Sequence, residues 1–211
     1  AISLNGEPTL YTKLGEYMDL CHKHGMTTML VTNGTLPKVL EKLDTLPTQL
    51  YVSVDAPNKQ VFDEVCRPKW GNGAWDQFEK TIDLLPSLDT RIVCRHTMMK
   101  GINMSSEHIK QFAALDNRAD PDWIEAKGYV YVGHSRENLS MENMPSHEDI
   151  LNFSNELAPQ VDRRVLSESR PSRVALIGRE IVPIPLPDPE MFFPEDLGIA
   201  PPTKKLPLIQ N

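Results

Sequence analysis

Residues 49–57, Gln-Leu-Tyr-Val-Ser-Val-Asp-Ala-Pro, decide the fold. Leu50, Val52 and Val54 alternate with Tyr51, Ser53 and Asp55. A strand sends successive side chains to opposite faces, so this one is oily on one side and polar on the other. Pro57 cannot continue the ladder, because it has no N–H.

The same two-faced pattern recurs along the chain. Strands are expected at 1–5, 27–32, 49–54, 91–99 and 122–132, rich in Val, Ile, Leu and Tyr and bounded by Gly, Pro or Asn. Ser3, Asn5 and Glu7 share one parity, as do Arg95 with Thr97, and Glu125 with Lys127 and Tyr129. Ile2 and Leu4, Ile92 and Cys94, and Ile124 and Ala126 hold the other. Helical spacing fills the gaps: Leu14, Tyr17, Met18 and Cys21; Leu36, Val39, Leu40 and Leu43; Trp75, Phe78, Ile82 and Leu85; Ile109, Phe112 and Ala113. A fifth helix carries Ile150, Phe153 and Leu157 behind Ser146 as its cap, with Asp149 at its positive end.

Strand alternating with helix means parallel strands joined by right-handed crossovers. An open sheet covered on both faces would be apolar on both parities. One polar parity instead predicts an α/β barrel whose interior holds a hydrated ligand. A closed eight-stranded barrel fills its centre with branched apolar side chains, so a partial barrel is expected. It spans residues 1–180, with 173–178 as one more short strand. Residues 181–211 are rich in proline and are expected to be an extended or disordered tail.

Composition removes several classes. The 211 residues carry a net charge of −7, which argues against a surface basic everywhere and leaves room for a local patch. No apolar run approaches the ~20 residues of a membrane span. Three scattered cysteines make no disulfide framework and fit a reducing, cytoplasmic compartment. Cys21 and Cys94 are expected in the core, and Cys66 has no assigned role. No two are close enough in sequence for a metal knuckle, so this chain is expected to hold no metal by itself.

Ile2-Ser3-Leu4-Asn5-Gly6-Glu7-Pro8-Thr9, Leu30-Val31-Thr32-Asn33-Gly34-Thr35 and Tyr51–Pro57 resemble the second, third and fourth strands of radical S-adenosylmethionine enzymes. More narrowly, YVSVDAP, VCRP, MMKGINM, IEAKGYVYVGHSRENL and NMPSHEDI resemble the tRNA 4-demethylwyosine synthase family over about residues 1–180. The fold implied is a partial six-stranded barrel of the TIM type.

That resemblance implies two cofactors, S-adenosyl-L-methionine and a [4Fe–4S] cluster. It implies an enzyme that joins N1-methylguanosine-37 of phenylalanine tRNA to pyruvate through a 5′-deoxyadenosyl radical. An electron donor, flavodoxin-like or ferredoxin, is implied as well. The family's C-x₃-C-x₂-C cluster loop and its pyruvate lysine have no counterpart here. The expectation is therefore that they precede Ala1, together with the first strand, and that this chain alone is inert.

The residue roles implied are equally specific. Asn5, Gly6 and Glu7 would hold the cofactor's ammonium, an amine needing acceptors and close backbone approach. Glu7 could instead be an acid at a helix N-terminus. Asn33 would donate to the cofactor or shape its turn. Ser53 and Asp55 would reach the cofactor, although Asp55 also suits a plain turn. Arg95, Lys127 and Gly128 would meet its adenosine or carboxylate, with a Lys127 ion pair to Glu125 or Asp55 as the alternative. His134, Ser135 and Arg136 would form a mouth for the anticodon loop, with Arg163–Arg164 and the 170–173 stretch extending it; an exposed Arg136 without a role is the other reading. Three further functions fit the residues: a radical enzyme acting on a small molecule, an iron-free lyase using Lys127 or Lys100 as an imine-forming amine, and a barrel that only binds RNA.

Overall fold

The computed structural model describes residues 1–3, 6–69 and 73–184. Its frame is one six-stranded sheet: β1 (Met29–Thr32), β2 (Gln49–Ser53), β3 (Arg91–Met98), β4 (Trp123–Gly128), β5 (Arg164–Ser169) and β6 (Val174–Gly178). Their order across the sheet is β1-β2-β3-β4-β6-β5. The first four run parallel, as expected. The sheet does not close, so the barrel is partial.

The helices are α1 (Leu14–Lys23), α2 (Pro37–Glu41), α3 (Lys59–Val65), α4 (Ala74–Leu84), α5 (Ser106–Ala119) and α6 (His147–Leu157). They cover the apolar parity. Leu30, Leu50, Val52, Ile92, Cys94 and Ile124 are buried against Met18, Leu40, Phe78, Ile82, Phe112 and Ile150. On the other face Tyr51, Ser53, Arg95, Thr97, Glu125 and Lys127 stay half-buried. Binary patterning thus sorted the two faces correctly.

His96 breaks the pattern. It lies on the oily parity, fully buried, with Nε2 3.1 Å from Oδ1 of the equally buried Asp116 on α5. Its ring stacks on Phe112 at 4.6 Å between centroids. A buried polar side chain needs a partner, and α5 supplies it.

Several expectations need correction. The strand expected at 1–5 is one parallel bridge, Ile2 with Leu30; Leu4 and Asn5 lie outside the described residues. The strand expected at 122–132 stops at Gly128, because β6 begins its pairing at Val174 opposite Lys127 and β3 ends at Met98. The last two strands are antiparallel: β6 pairs with β4 and β5 in a hairpin turned at Arg170–Arg173. Arg164–Ser169 was missed as a strand because its Arg, Ser and Glu suit a sheet edge with no fully buried residue. The segment between β2 and β3 folds as two helices, and α3 opens on Asn58, whose side chain accepts from Val61 N. Tyr17, read on the buried face of α1, is 47 % exposed. Residues 185–211, the larger part of the expected tail, lie outside the described residues.

Candidate functional site

The C-terminal ends of β1 and β2 open on a cavity of about 710 Å³. Glu7, Asn33, Ser53 and Asp55 line the strand-end wall, while Phe62, Cys66, Arg67 and Lys69 line the wall formed by α3 and the chain after it. The fold therefore gathers four of the expected cofactor residues in one place. Arg95, Lys127, Gly128 and the 134–136 stretch do not line this cavity.

Glu7 is held on several sides. Its Oε1 accepts from Thr9 N at 3.1 Å, Thr9 Oγ1 at 2.7 Å and Thr32 Oγ1 at 2.6 Å. Its Oε2 accepts from Asn33 N at 2.8 Å. Glu7 also caps the short 3-10 helix Pro8–Leu10, so the helix-terminus reading of this acid is part of its role. The carboxylate ties the Pro8–Leu10 turn to the end of β1, and Glu7 lines the cavity. Thr32 is a residue that sequence reading missed. Its hydroxyl is buried, donates to Glu7 and accepts from Gly34 N at 3.1 Å.

Asn33 shapes its own turn, with Oδ1 accepting from Thr35 N at 3.0 Å and Thr35 Oγ1 at 2.6 Å. Gly34 follows with φ +70°, and an added Cβ would meet Phe78 and Val52 at 3.2 Å. A side chain here would strain the backbone and press on both neighbours.

Asp55 closes the floor. Its Oδ1 accepts from Thr97 N at 3.3 Å, and burial raises its carboxyl above the ordinary range despite that bond. Asn103, fully buried and also missed by sequence reading, fixes this corner. Its Nδ2 donates to the carbonyls of Asp55 and Thr97, both at 2.9 Å, and its Oδ1 accepts from Met99 N at 2.7 Å. The signal available was a lone Asn after the Lys100–Gly101 turn, which sequence alone gives no reason to single out.

The remaining polar residues are elsewhere. Arg95 places Nε 2.9 Å from Glu125 Oε1, with its guanidinium 4.6 Å from the centre of the Tyr51 ring. The internal ion pair considered for Lys127 is thus made by Arg95. Lys127 has no ion pair among the described residues. Gly128 packs against Pro145 and Arg173 and donates its N–H to the Arg173 carbonyl at 2.8 Å, which gives it a structural reason to be small.

Residues 134–136 fall in a short exposed 3-10 helix, Gly133–Glu137. Ser135 is committed to the loop: its hydroxyl accepts from Tyr129 Oη at 2.8 Å and donates to Val132 O at 2.6 Å. His134 is fully exposed and lies 3.2 Å from Glu137. Arg136 sits over the Tyr131 ring at 5.3 Å. Arg163 does not extend this patch, being buried with hydrogen bonds to Val161 O, Asp120 and Pro121 O. Arg173 is turned to Pro145 O at 3.2 Å.

The carboxylates, amide and hydroxyl of the strand-end wall fit a ligand bearing an ammonium and hydroxyl groups, as S-adenosylmethionine does. An iron–sulfur cluster is different. Cys21 and Cys94 are buried and Cys66 is exposed, and no group of three His, Cys, Asp or Glu among the described residues could hold a metal ion. These residues do not fit the cluster.

Fold and cavity define a class, and comparison with known proteins gives the same one. Residues 2–113 match the radical SAM superfamily, and the chain belongs to it. Residues 118–179 match a second family, described as wyosine base formation. The S-adenosyl-L-methionine-dependent tRNA 4-demethylwyosine synthase of Pyrococcus horikoshii is 44 % identical over 186 residues, which is 86 % of this chain and 54 % of that protein. The synthase of Methanocaldococcus jannaschii is 39 % identical, over 85 % of this chain and 55 % of that one. A structure of TYW1 with a lysine-pyruvate adduct bound superposes with TM-score 0.75 at 37 % identity, covering 84 % of this chain and 55 % of that one. The chain thus spans about half the length of the relatives it matches.

Proposed function

We propose that this chain is the cofactor-binding and tRNA-facing part of a 4-demethylwyosine synthase, which converts N1-methylguanosine-37 of phenylalanine tRNA to a tricyclic base with two carbons from pyruvate. The observation that carries this reading is the succession of the two family matches, 2–113 and 118–179, along a single sheet. A small-molecule radical enzyme would explain the first match and leave the second without a purpose. No helix among the described residues is long and apolar enough to cross a membrane.

In this reading Glu7 accepts from the cofactor's ammonium through Oε2, while Oε1 stays fixed by Thr9 and Thr32. Ser53 and the Asp55 carboxyl take the sugar hydroxyls. Asn33 lines the entrance, and its N–H holds Glu7 in place. When bound, S-adenosylmethionine would supply the hydrogen-abstracting chemistry once one electron cleaves it, that electron coming from an iron–sulfur cluster that these residues do not themselves hold. This chain orients it and keeps water away from it. Lys127 and Gly128 serve at the sheet end beside Met98. His134 and Arg136 face the RNA, with Ser135 setting their loop. The target base must leave its stack to be reached, and stacking on exposed side chains favours that.

The test uses the protein expressed from its complete gene, reconstituted without oxygen and given a reductant, pyruvate and phenylalanine tRNA carrying N1-methylguanosine-37. Nucleoside mass spectrometry should find the tricyclic base. Turnover of S-adenosylmethionine with the guanosine left unchanged would overturn the proposal.

A further inference from the structure

The wall opposite Glu7 and Asp55 is basic, and nothing above gives it a task. Cys66 ends α3, and Arg67 follows in the left-handed region at φ +45°. Residues other than glycine rarely adopt that conformation, so the backbone here is strained. Arg67 Nε donates to Glu64 O at 2.9 Å, which fixes the plane of the guanidinium at the C-terminal end of α3. Its two Nη groups have no partner among the described residues, and the residue lines the cavity. Lys69, two residues on, lines the same wall and has no ion pair among the described residues. The nearby acid Asp63 is already taken by Lys59.

A guanidinium held by Nε and open at both Nη atoms is a preorganised fork for an oxyanion. The strand-end wall carries carboxylates and repels anions, so the cavity is divided by charge. The Glu7 side favours a cation, and the α3 wall with Arg67 and Lys69 favours an anion. Phe62, Val65 and Ala74 add apolar lining to the same cavity.

We infer that Arg67 and Lys69 form a phosphodiester-binding lip that seats the backbone of the RNA next to the nucleotide entering the cavity. This rests on the tRNA reading above and adds to it a second contact surface, separate from the 134–136 loop. A residue that only caps α3 would also account for the Nε bond. The two roles differ in salt dependence, because only a phosphate contact releases counterions.

The protein from its complete gene is compared with Arg67→Asn and Lys69→Ala. Asparagine tolerates the left-handed backbone, and Lys69→Ala leaves the α3 cap untouched, so one variant stays informative if the other folds poorly. Filter binding of phenylalanine tRNA at several salt concentrations should show each substitution lowering affinity about tenfold. Each should also reduce the slope of log K against log salt by about 0.7–0.9. S-adenosylmethionine affinity by calorimetry should stay unchanged. If wild type binds tRNA and both variants keep its affinity and slope, the lip is wrong while the tRNA reading stands. Loss of S-adenosylmethionine affinity with the RNA slope intact assigns these cations to the cofactor carboxylate and overturns the lip. If wild type itself shows no salt-dependent tRNA binding, both readings fall together.

Discussion

Glu7 is placed so that one carboxylate can serve structure and, in the function proposed above, ligand as well. Four donors converge on it, three at Oε1 and one at Oε2. Glu7→Ala should weaken S-adenosylmethionine binding and cost about 1–3 kcal/mol of stability, because the buried Thr32 hydroxyl loses its acceptor. Glu7→Gln should restore most of the stability and little of the affinity. Urea titration and calorimetry on the same samples separate the two. An alanine variant with wild-type cofactor affinity would remove Glu7 from the site.

Asp55 adds a pH signature at the same scale. Its carboxyl is raised above the ordinary value of 3.8, chiefly by burial. A raised carboxyl binds its proton more tightly in the folded state, so its contribution is complete below 3.8 and is lost as pH rises through the folded value. Stability of wild type relative to Asp55→Asn should therefore fall from pH 4 upward and then level off. A flat difference across that range would mean that Asp55 is not desolvated. The place of Asp55 on the polar parity was legible in the alternation of 51–55. Its desolvation was not, since Thr97 and Asn103 come from other segments.

At the level of elements, local chemistry was read best where caps are explicit. Ser146 and Asp149 form the capping box of α6, with Ser146 N donating to Asp149 Oδ2 at 2.8 Å and Asp149 N to Ser146 Oγ at 3.1 Å. Ser146→Ala should cost about 1 kcal/mol in thermal or urea unfolding. The backbone N–H of Ser146 is the leading cause holding the Asp149 carboxyl below 3.8. The support it gives is thus present above that value and lost as pH falls through the folded one. Elements defined by tertiary context were harder. Nothing local marks Arg164–Ser169 as a strand, because its partner β6 and the hairpin turn make it one. Gly34 is the opposite case. Its Asn-Gly turn was visible, but the closeness of Phe78 and Val52 was not, and Gly34→Ala should destabilise β1 more than a turn alone would suggest. Ordinary stability in that variant would show that the turn relaxes easily.

For the whole molecule, one polar and one apolar parity along 49–55, 91–97 and 124–129 pointed to a partial barrel, because burial on one face is written directly into strand sequence. The edges of the sheet were less legible. One is a single bridge at Ile2, and the other is an antiparallel hairpin in place of a further parallel crossover. The cavity lined by Glu7, Asn33, Ser53 and Asp55 falls within the 2–113 match, while β5 and β6 belong to the 118–179 match. Cysteine placement carries the last prediction. Cys21 on α1, Cys66 after α3 and Cys94 in β3 are held on three separate elements, two of them buried in the core. Bringing them to one cluster would require taking Cys94 out of the centre of the sheet, at a cost comparable to unfolding a core strand. Residues 1–211 expressed by themselves and reconstituted with iron and sulfide without oxygen should therefore retain no stoichiometric iron. They should show no thiolate-to-iron absorbance near ~400 nm. Stoichiometric iron that survives desalting and disappears in Cys66→Ala would mean that these residues assemble a cluster site after all.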